Sequence, residues 1–297
     1  MQKLEIIIGN VKTVSEELAQ RTIAEIEEAR ADGKTYTLVC AKGSSAKEYY
    51  AALKQSGFDF RDVTAFAIDQ DLGKSNDPSP DKNARKFLEE NLPEGIQIQA
   101  INADFLQDGV LVDNDLFAKM MAANPGDYAR IGREITLQGV DRVSMEIRNA
   151  IHSYNQIIAQ TGRYDDEGLP IYRHLNLAII GLGVNPLHMG SNFPQTDPKS
   201  STHLGEKLDK DGNVVGYAMT MGISTLCSAE QAILFAAGES KAEGLKKVLE
   251  GPITEQCPPS YLRNMNDLTL ALDPAAASKL DLDRLKEMYQ DRQLVVR

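Results

Sequence analysis

Along the chain, short apolar runs bounded by polar turns alternate with stretches whose apolar positions recur every three or four residues. The runs predict strands at Tyr36–Ala41, Val63–Asp69, Ile96–Ile101, Leu175–Ile180, Tyr217–Met221, Gln231–Ala236 and Leu268–Leu272. The longer periodic stretches predict helices from about Thr13 to Ala31, from Ser45, over Asp81–Asn91, around Arg142–Ile158, over Ser240–Glu250 and around Leu280–Gln290. Thr13-Val-Ser-Glu16 has the spacing of a capping box, and Gly33 stops the helix it would open. Strand and helix in alternation predict an α/β fold, a parallel sheet wrapped by helices, built as one unit over residues 1–297. Its odd part is a mostly helical insertion at about Phe105–Thr161, read as a lid or an oligomer contact. No internal repeat or low-complexity tract interrupts the pattern.

Composition narrows the function classes. A chain of 297 residues buries a sizeable core without staples. Cys40, Cys227 and Cys257 are odd in number and widely spaced, which argues against a disulfide framework or a CxxC metal site and fits a reducing cytoplasm. No apolar run approaches the roughly 18 residues of a membrane span, and the first residues are too short an apolar run for a signal peptide. A formal charge of −11 without a basic, aromatic-rich stripe argues against nucleic acid as a ligand.

Four places carry candidate chemistry. Ala41-Lys-Gly-Ser-Ser-Ala46 links a strand to a helix and reads as an anion cradle, because glycine admits close approach and the exposed amides at a helix start favour phosphate. Lys42, Gly43, Ser44 and Ser45 are its binding candidates, the alternative being a tight turn with Ser44 or Ser45 as N-cap. In Phe66-Ala-Ile-Asp-Gln-Asp71 an apolar strand ends in acids, which places Asp69 to work as a base. The alternation is read as turning Asp71 away from Asp69, and the other reading of Asp69 is a turn or cap residue. The strand Leu175–Ile180 runs into Gly181-Leu-Gly-Val-Asn-Pro-Leu-His188, and ligands of open α/β sheets bind beyond the carboxyl ends of strands. His188 is the candidate there, with Gly183 and Asn185 as further binding positions. His152 is read as a surface or packing residue on a helix, His174 as preceding a strand, and His203 as lying in a polar loop. No partner stands at a ligand spacing from His188, so no metal is implied. Lys241, in the first turn after Gly238-Glu-Ser, opposes the helix dipole unless it serves an anion; the alternative is a solvated lysine beside Glu239.

Taken in order, Lys42-Gly-Ser-Ser45, Phe66-Ala-Ile-Asp-Gln70, Gly181-Leu-Gly183 through His188 to Pro194, and Ala218–Leu226 running into Gly238-Glu-Ser-Lys241 resemble the superfamily of glucosamine-6-phosphate deaminases and 6-phosphogluconolactonases. The resemblance covers most of the chain, and the stretch to Lys246-Lys-Val-Leu-Glu-Gly251 is similar to the deaminases in particular. It implies a doubly wound, mostly parallel sheet with helices on both faces, of modified Rossmann type. A phosphorylated sugar is the implied ligand, with no cofactor and no metal. The glycine-serine turn and Lys241 would hold the phosphate. Asp69 falls on the family's proton-abstracting aspartate and His188 on the histidine that assists ring opening.

Departures sit in the same stretch. The family reads Gly-x-Gly-x-Asp-Gly-His, whereas this chain has one extra residue and Asn185-Pro-Leu-His188. Phe193 stands where the deaminases have their catalytic glutamate, and Ser191-Asn-Phe-Pro194 is nearer the lactonase ending Ser-Leu-Phe-Pro. The lactonases' arginine two residues after the aspartate is absent from Asp69-Gln-Asp71. Asp197 or an acid from Phe105–Thr161 is the candidate replacement for the missing carboxylates. Three readings stay open: an isomerase or deaminase of amino-sugar phosphates, a 6-phosphogluconolactonase-like hydrolase, and a sugar-phosphate-binding protein with little catalysis. The apolar helix positions of the insertion predict a homo-oligomer.

Overall fold

The computed structural model describes residues 2–139, 141–160 and 175–297; His174 and the insertion's last residue, Thr161, lie outside them. Eight parallel strands form the main sheet, in the order Gln293–Val296, Lys3–Ile8, Asp267–Leu272, Gln231–Ala236, Leu177–Gly181, Tyr36–Cys40, Val63–Ala67 and Gln97–Gln99. The chain winds outward from Tyr36–Cys40 in one direction and from Leu177–Gly181 in the other, the arrangement of a doubly wound α/β fold. These two strands are neighbours, so the point at which the winding reverses falls between the carboxyl ends Cys40 and Gly181, where such sheets open a crevice.

The central strands Leu177–Gly181, Tyr36–Cys40 and Gln231–Ala236 are mostly apolar because both faces are covered. Successive side chains alternate between two cores: Leu38 and Ile179 enter one, Val39 and Ile180 the other. The first core is covered by helices Val11–Ala31, Lys47–Gln55 and Ala84–Asn91. Val11–Ala31 starts earlier than the Thr13 capping box predicts: the Asn10 side chain accepts the amides of Lys12 and Thr13 and is the cap. Gly33, at φ 70°, follows its end as expected.

Against the other core lies a five-stranded antiparallel sheet: Asp69–Asp71, Val214–Met221, Thr202–Leu208, Glu134–Leu137 and Tyr128–Ile131. Two expectations are corrected by it. The predicted strand Val63–Asp69 is two strands: the chain crosses between sheets at Ile68, whose N–H donates to Cys40 O and whose carbonyl accepts from Met221 N. His203 is not in a polar loop but on the buried strand Thr202–Leu208.

The segment from Phe105 carries helices Asn114–Ala123 and Arg142–Gln160, and also a short hairpin at Leu106–Leu111 and the outer strands of the second sheet. Val143, Ile147, Tyr154 and Ile158 of the longer helix enter the core, and Tyr154 Oη donates to Ala67 O at 2.7 Å. This helix is therefore part of the layer on the sheet, and not a lid. No helix among the described residues is long and apolar enough to cross a membrane, and the three cysteines are free thiols.

Candidate active site

Three connections meet above the winding reversal. Ala41–Ala46 follows Cys40, Asp69–Asp71 follows the crossing at Ile68, and Leu182–Phe193 follows Gly181. With Lys207 from the second sheet they line a cleft of about 300 Å³.

Asp69 and Asp71 both face this cleft, contrary to the expected divergence. Side chains of a strand repeat with a period of two, so residues 69 and 71 share a face and Gln70 takes the other. Gln70 is buried, accepts the Ala84 amide at 2.7 Å and donates to Lys82 O at 2.9 Å, which pins the strand from behind. Asp69 Oδ2 accepts from Ser191 Oγ at 2.9 Å. Asp71 lies between two ammonium groups, Lys207 at 2.8 Å and Lys42 at 3.6 Å.

His188 is held by a two-residue hairpin in which Leu187–His188 pairs with Gly183–Val184. The imidazole lies directly over Gly183, where a Cβ would come within 2.0 Å of its Cε1. Nδ1 stands 2.7 Å from the Pro186 carbonyl. A carbonyl only accepts, so Nδ1 carries the hydrogen in this assignment and Nε2 keeps its lone pair. Phe193 stacks on the ring, with centroids 4.3 Å apart and planes 18° from parallel. Burial lowers the pKa of His188 below its ordinary 6.5, against smaller upward pulls from the Pro186 carbonyl and Asp69. The ring is thus prepared as a neutral base.

The carboxylates lost from the motif are not replaced at His188 in the expected way. Asp197 accepts from the Lys199 amide at 2.9 Å, and the group on His188 Nδ1 is a backbone carbonyl.

Of the expected binding residues, Lys42, Gly43, Ser44, Ser45 and Gly183 line the cleft. Helix Lys47–Gln55 is capped at Ala46 with no side-chain bond, so neither serine is its N-cap. Asn185 is exposed at the hairpin tip, outside the lining. Lys241 is also outside it: Nζ donates to Leu182 O at 2.7 Å, behind the glycine turn, and burial lowers its pKa. It supports the turn and reaches the cleft's edge through it. His152 is exposed on its helix, as expected. Burial pushes the His203 imidazole down to about 4.

Sequence reasoning missed Lys207 and Ser191 as lining residues. Lys207 lay in a strand too polar to be recognised, and Ser191 was read only as part of a motif. Among the described residues, no group of three or more His, Cys, Asp or Glu side chains is placed to hold a metal ion.

Fold and cleft together define an α/β protein with its site at the carboxyl edge of a doubly wound sheet. Residues 9–270 match the family model of glucosamine-6-phosphate isomerases and 6-phosphogluconolactonases, and the chain belongs to that family of enzymes. It is similar to the glucosamine-6-phosphate deaminase of Streptococcus pneumoniae (strain 70585), 31% identical over 268 residues, covering 86% of this chain and 92% of the relative. With the deaminase of Streptococcus thermophilus it shares 29% over 255 residues, 82% of this chain and 88% of the relative. Among solved structures, a glucosamine-6-phosphate deaminase described as monomeric matches with TM-score 0.63 and 23% identity, over 94% of this chain and 100% of its own. The 6-phosphogluconolactonase of Trypanosoma brucei matches with TM-score 0.65 and 17% identity, over 95% and 100%. Both structures share the fold. The relatives place the chain among sugar-phosphate isomerases and deaminases, enzymes of amino-sugar phosphate metabolism.

Proposed function

We propose that the protein acts on an amino-sugar phosphate such as glucosamine 6-phosphate, isomerising and deaminating it with Asp69 as the proton carrier. The observation that carries this reading is the placement of the Asp69 carboxylate in one cleft with His188 and the Lys42–Ser45 turn. The phosphate rests on the turn, whose amides and hydroxyls suit an anion, and the sugar extends past Asp69 towards His188. Nε2 of His188 accepts the anomeric hydroxyl proton as the C1–O5 bond breaks and returns it to O5, which opens the ring. Asp69 then removes the C2 proton and delivers it to C1, while one proton of the C2 amino group passes to the C1 oxygen. The resulting C2 imine takes up water and releases ammonia. The Ser191 hydroxyl, donating to Asp69, holds the carboxylate in place. Positioned proton transfer of this kind contributes about 10²–10⁴ in rate.

A second reading is favoured by one observation: the neutral His188, stacked on Phe193 with Nε2 open, also suits activation of water against a phosphorylated sugar lactone.

Ammonia release from glucosamine 6-phosphate and hydrolysis of 6-phosphogluconolactone, measured beside an Asp69→Asn variant, separate the two. The deaminase reading expects ammonia from the native chain and a loss of about 10²-fold or more in the variant. Lactone hydrolysis without ammonia release overturns it in favour of the second. Turnover of neither, with sugar phosphates still raising the melting temperature, leaves a binding protein.

A further inference from the structure

Asp71 and Lys207 flank one strand of the second sheet from opposite sides. Asp71 pairs with Ala218 on Val214–Met221, and Ala218 pairs in turn with Gly205 on Thr202–Leu208, two residues before Lys207. Directly opposed residues share a face, so Asp71, Ala218, Gly205 and Lys207 all point the same way. Between acid and lysine stand only a methyl group and a hydrogen. The Lys207 side chain crosses that gap and places Nζ 2.8 Å from Asp71 Oδ1.

On the other oxygen, Lys42 Nζ stands at 3.6 Å. The side chains of Lys42, Asp71 and Lys207 are only 14%, 19% and 35% exposed, and all three line the cleft. Within this trio one carboxylate is shared by two ammonium groups, so one positive charge is left over beside the serine turn, with Asp69 as the other acid of the lining. A purely structural ion pair needs one lysine and no place on a cleft wall. Two partly desolvated lysines converging on one acid make a site where a doubly charged anion outcompetes a singly charged one, and a phosphate monoester carries about −1.5 to −2 at neutral pH.

We infer that Lys207, together with Lys42, grips the substrate's phosphate, and that Asp71 competes with that phosphate for both ammonium groups. Lys207 is then a substrate contact supplied by the second sheet. Asp71 acts through the two lysines: it occupies both ammonium groups while the site is empty and so weakens anion binding enough for the phosphorylated product to leave. This rests on the reading of the cleft as a sugar-phosphate site.

The test is calorimetric titration with inorganic phosphate of the native chain and of Asp71→Asn, Lys207→Met and Lys207→Arg, each checked for folding by circular dichroism and melting. Removing the internal competitor is expected to tighten phosphate binding on the order of tenfold in Asp71→Asn. Lys207→Met is expected to weaken it by about tenfold or more, with Lys207→Arg close to native, because either cation satisfies the anion. Loss of a nearby negative charge alone would tighten phosphate binding in Asp71→Asn without weakening it in Lys207→Met, so the opposite signs of the two variants carry the inference. Unchanged or weaker binding by folded Asp71→Asn overturns the inference, as does native affinity in Lys207→Met. Should Asp71→Asn not fold, the two Lys207 variants decide alone. The readout is separable from the proposed reaction. Absence of ammonia release leaves the pattern of phosphate affinities intact, whereas absence of phosphate binding in both the native chain and Asp71→Asn overturns the inference and leaves any measured turnover standing.

Discussion

Replacing Gly183 by alanine tests how His188 is aimed. The added methyl would lie 2.0 Å from Cε1, 2.2 Å from Nε2 and 2.4 Å from Nδ1 of the imidazole, distances that no Cβ contact adopts. Gly183 is not at positive φ, so alanine suits the backbone and the whole effect falls on the ring. To make room, His188 must leave both its bond to the Pro186 carbonyl and its stack on Phe193. A net hydrogen bond contributes about 0.5–1.5 kcal/mol, and an aromatic pair about 0.5–1.5 kcal/mol beyond its area. Gly183→Ala is therefore expected to cost about 1–3 kcal/mol of stability and to lower turnover to near that of His188→Ala. The decisive assay is a double-mutant cycle by urea unfolding and by activity. In the His188→Ala background the same methyl meets no ring, so its cost should fall below about 0.5 kcal/mol, and the two changes should be strongly non-additive. Equal cost in both backgrounds, or full activity in Gly183→Ala, would falsify the account of the hairpin.

The pH dependence has two parts. With its pKa lowered by burial, His188 stays a neutral base in the folded protein to below pH 6.5, so the acid limb of turnover should lie below that value; a limb above it contradicts the assignment. His203 is pushed down to about 4 from an ordinary 6.5, so the unfolded chain binds this proton first. Its contribution to stability is then present above pH 6.5 and lost as pH falls through the window down to about 4. Urea unfolding of His203→Gln should show a flatter acid slope than the native chain. Asn10→Ala removes the cap of the first long helix and should cost about 0.5–2 kcal/mol with no change in turnover; a capping role for Thr13 instead would leave Asn10→Ala near native and destabilise Thr13→Ala.

What the sequence conveys well here is whatever rests on an apolar run buried on both faces. Tyr36–Cys40, Leu177–Gly181 and Gln231–Ala236 stand where their composition put them, and the turns after the first two meet in the cleft as expected. Thr202–Leu208 was invisible for the opposite reason. Thr202, His203 and Glu206 are buried but polar, and such residues register as a loop when only hydrophobicity is read. Lys207 was lost with that strand. Asp71 was misplaced by treating 69 and 71 as opposite faces, although a period of two puts them on one. At the first helix two residues compete: Thr13 with Glu16 has the box spacing, yet Asn10 caps because it accepts two amides three residues earlier. The partner of His188 is a main-chain oxygen, and no side-chain pattern announces a carbonyl whose position depends on the turn itself. The sheet wrapped by helices was legible, whereas the second sheet depends on non-local antiparallel pairings that leave little local trace.

Ile68 hands the chain from one sheet to the other, with its amide bonded to the parallel sheet and its carbonyl to the antiparallel one. The cleft is consequently a seam between two modules. The serine turn and the histidine hairpin follow strands of the parallel sheet, while Asp69, Asp71 and Lys207 ride on the antiparallel sheet. Changes anywhere in the outer strands, as far out as Tyr128–Ile131, can then shift the acids and the lysine relative to the turn without rewriting a single residue of the scaffold that carries it. For a designer, the outer sheet is the adjustable part: repacking it offers a way to retune reactivity while the anion-accepting frame stays fixed.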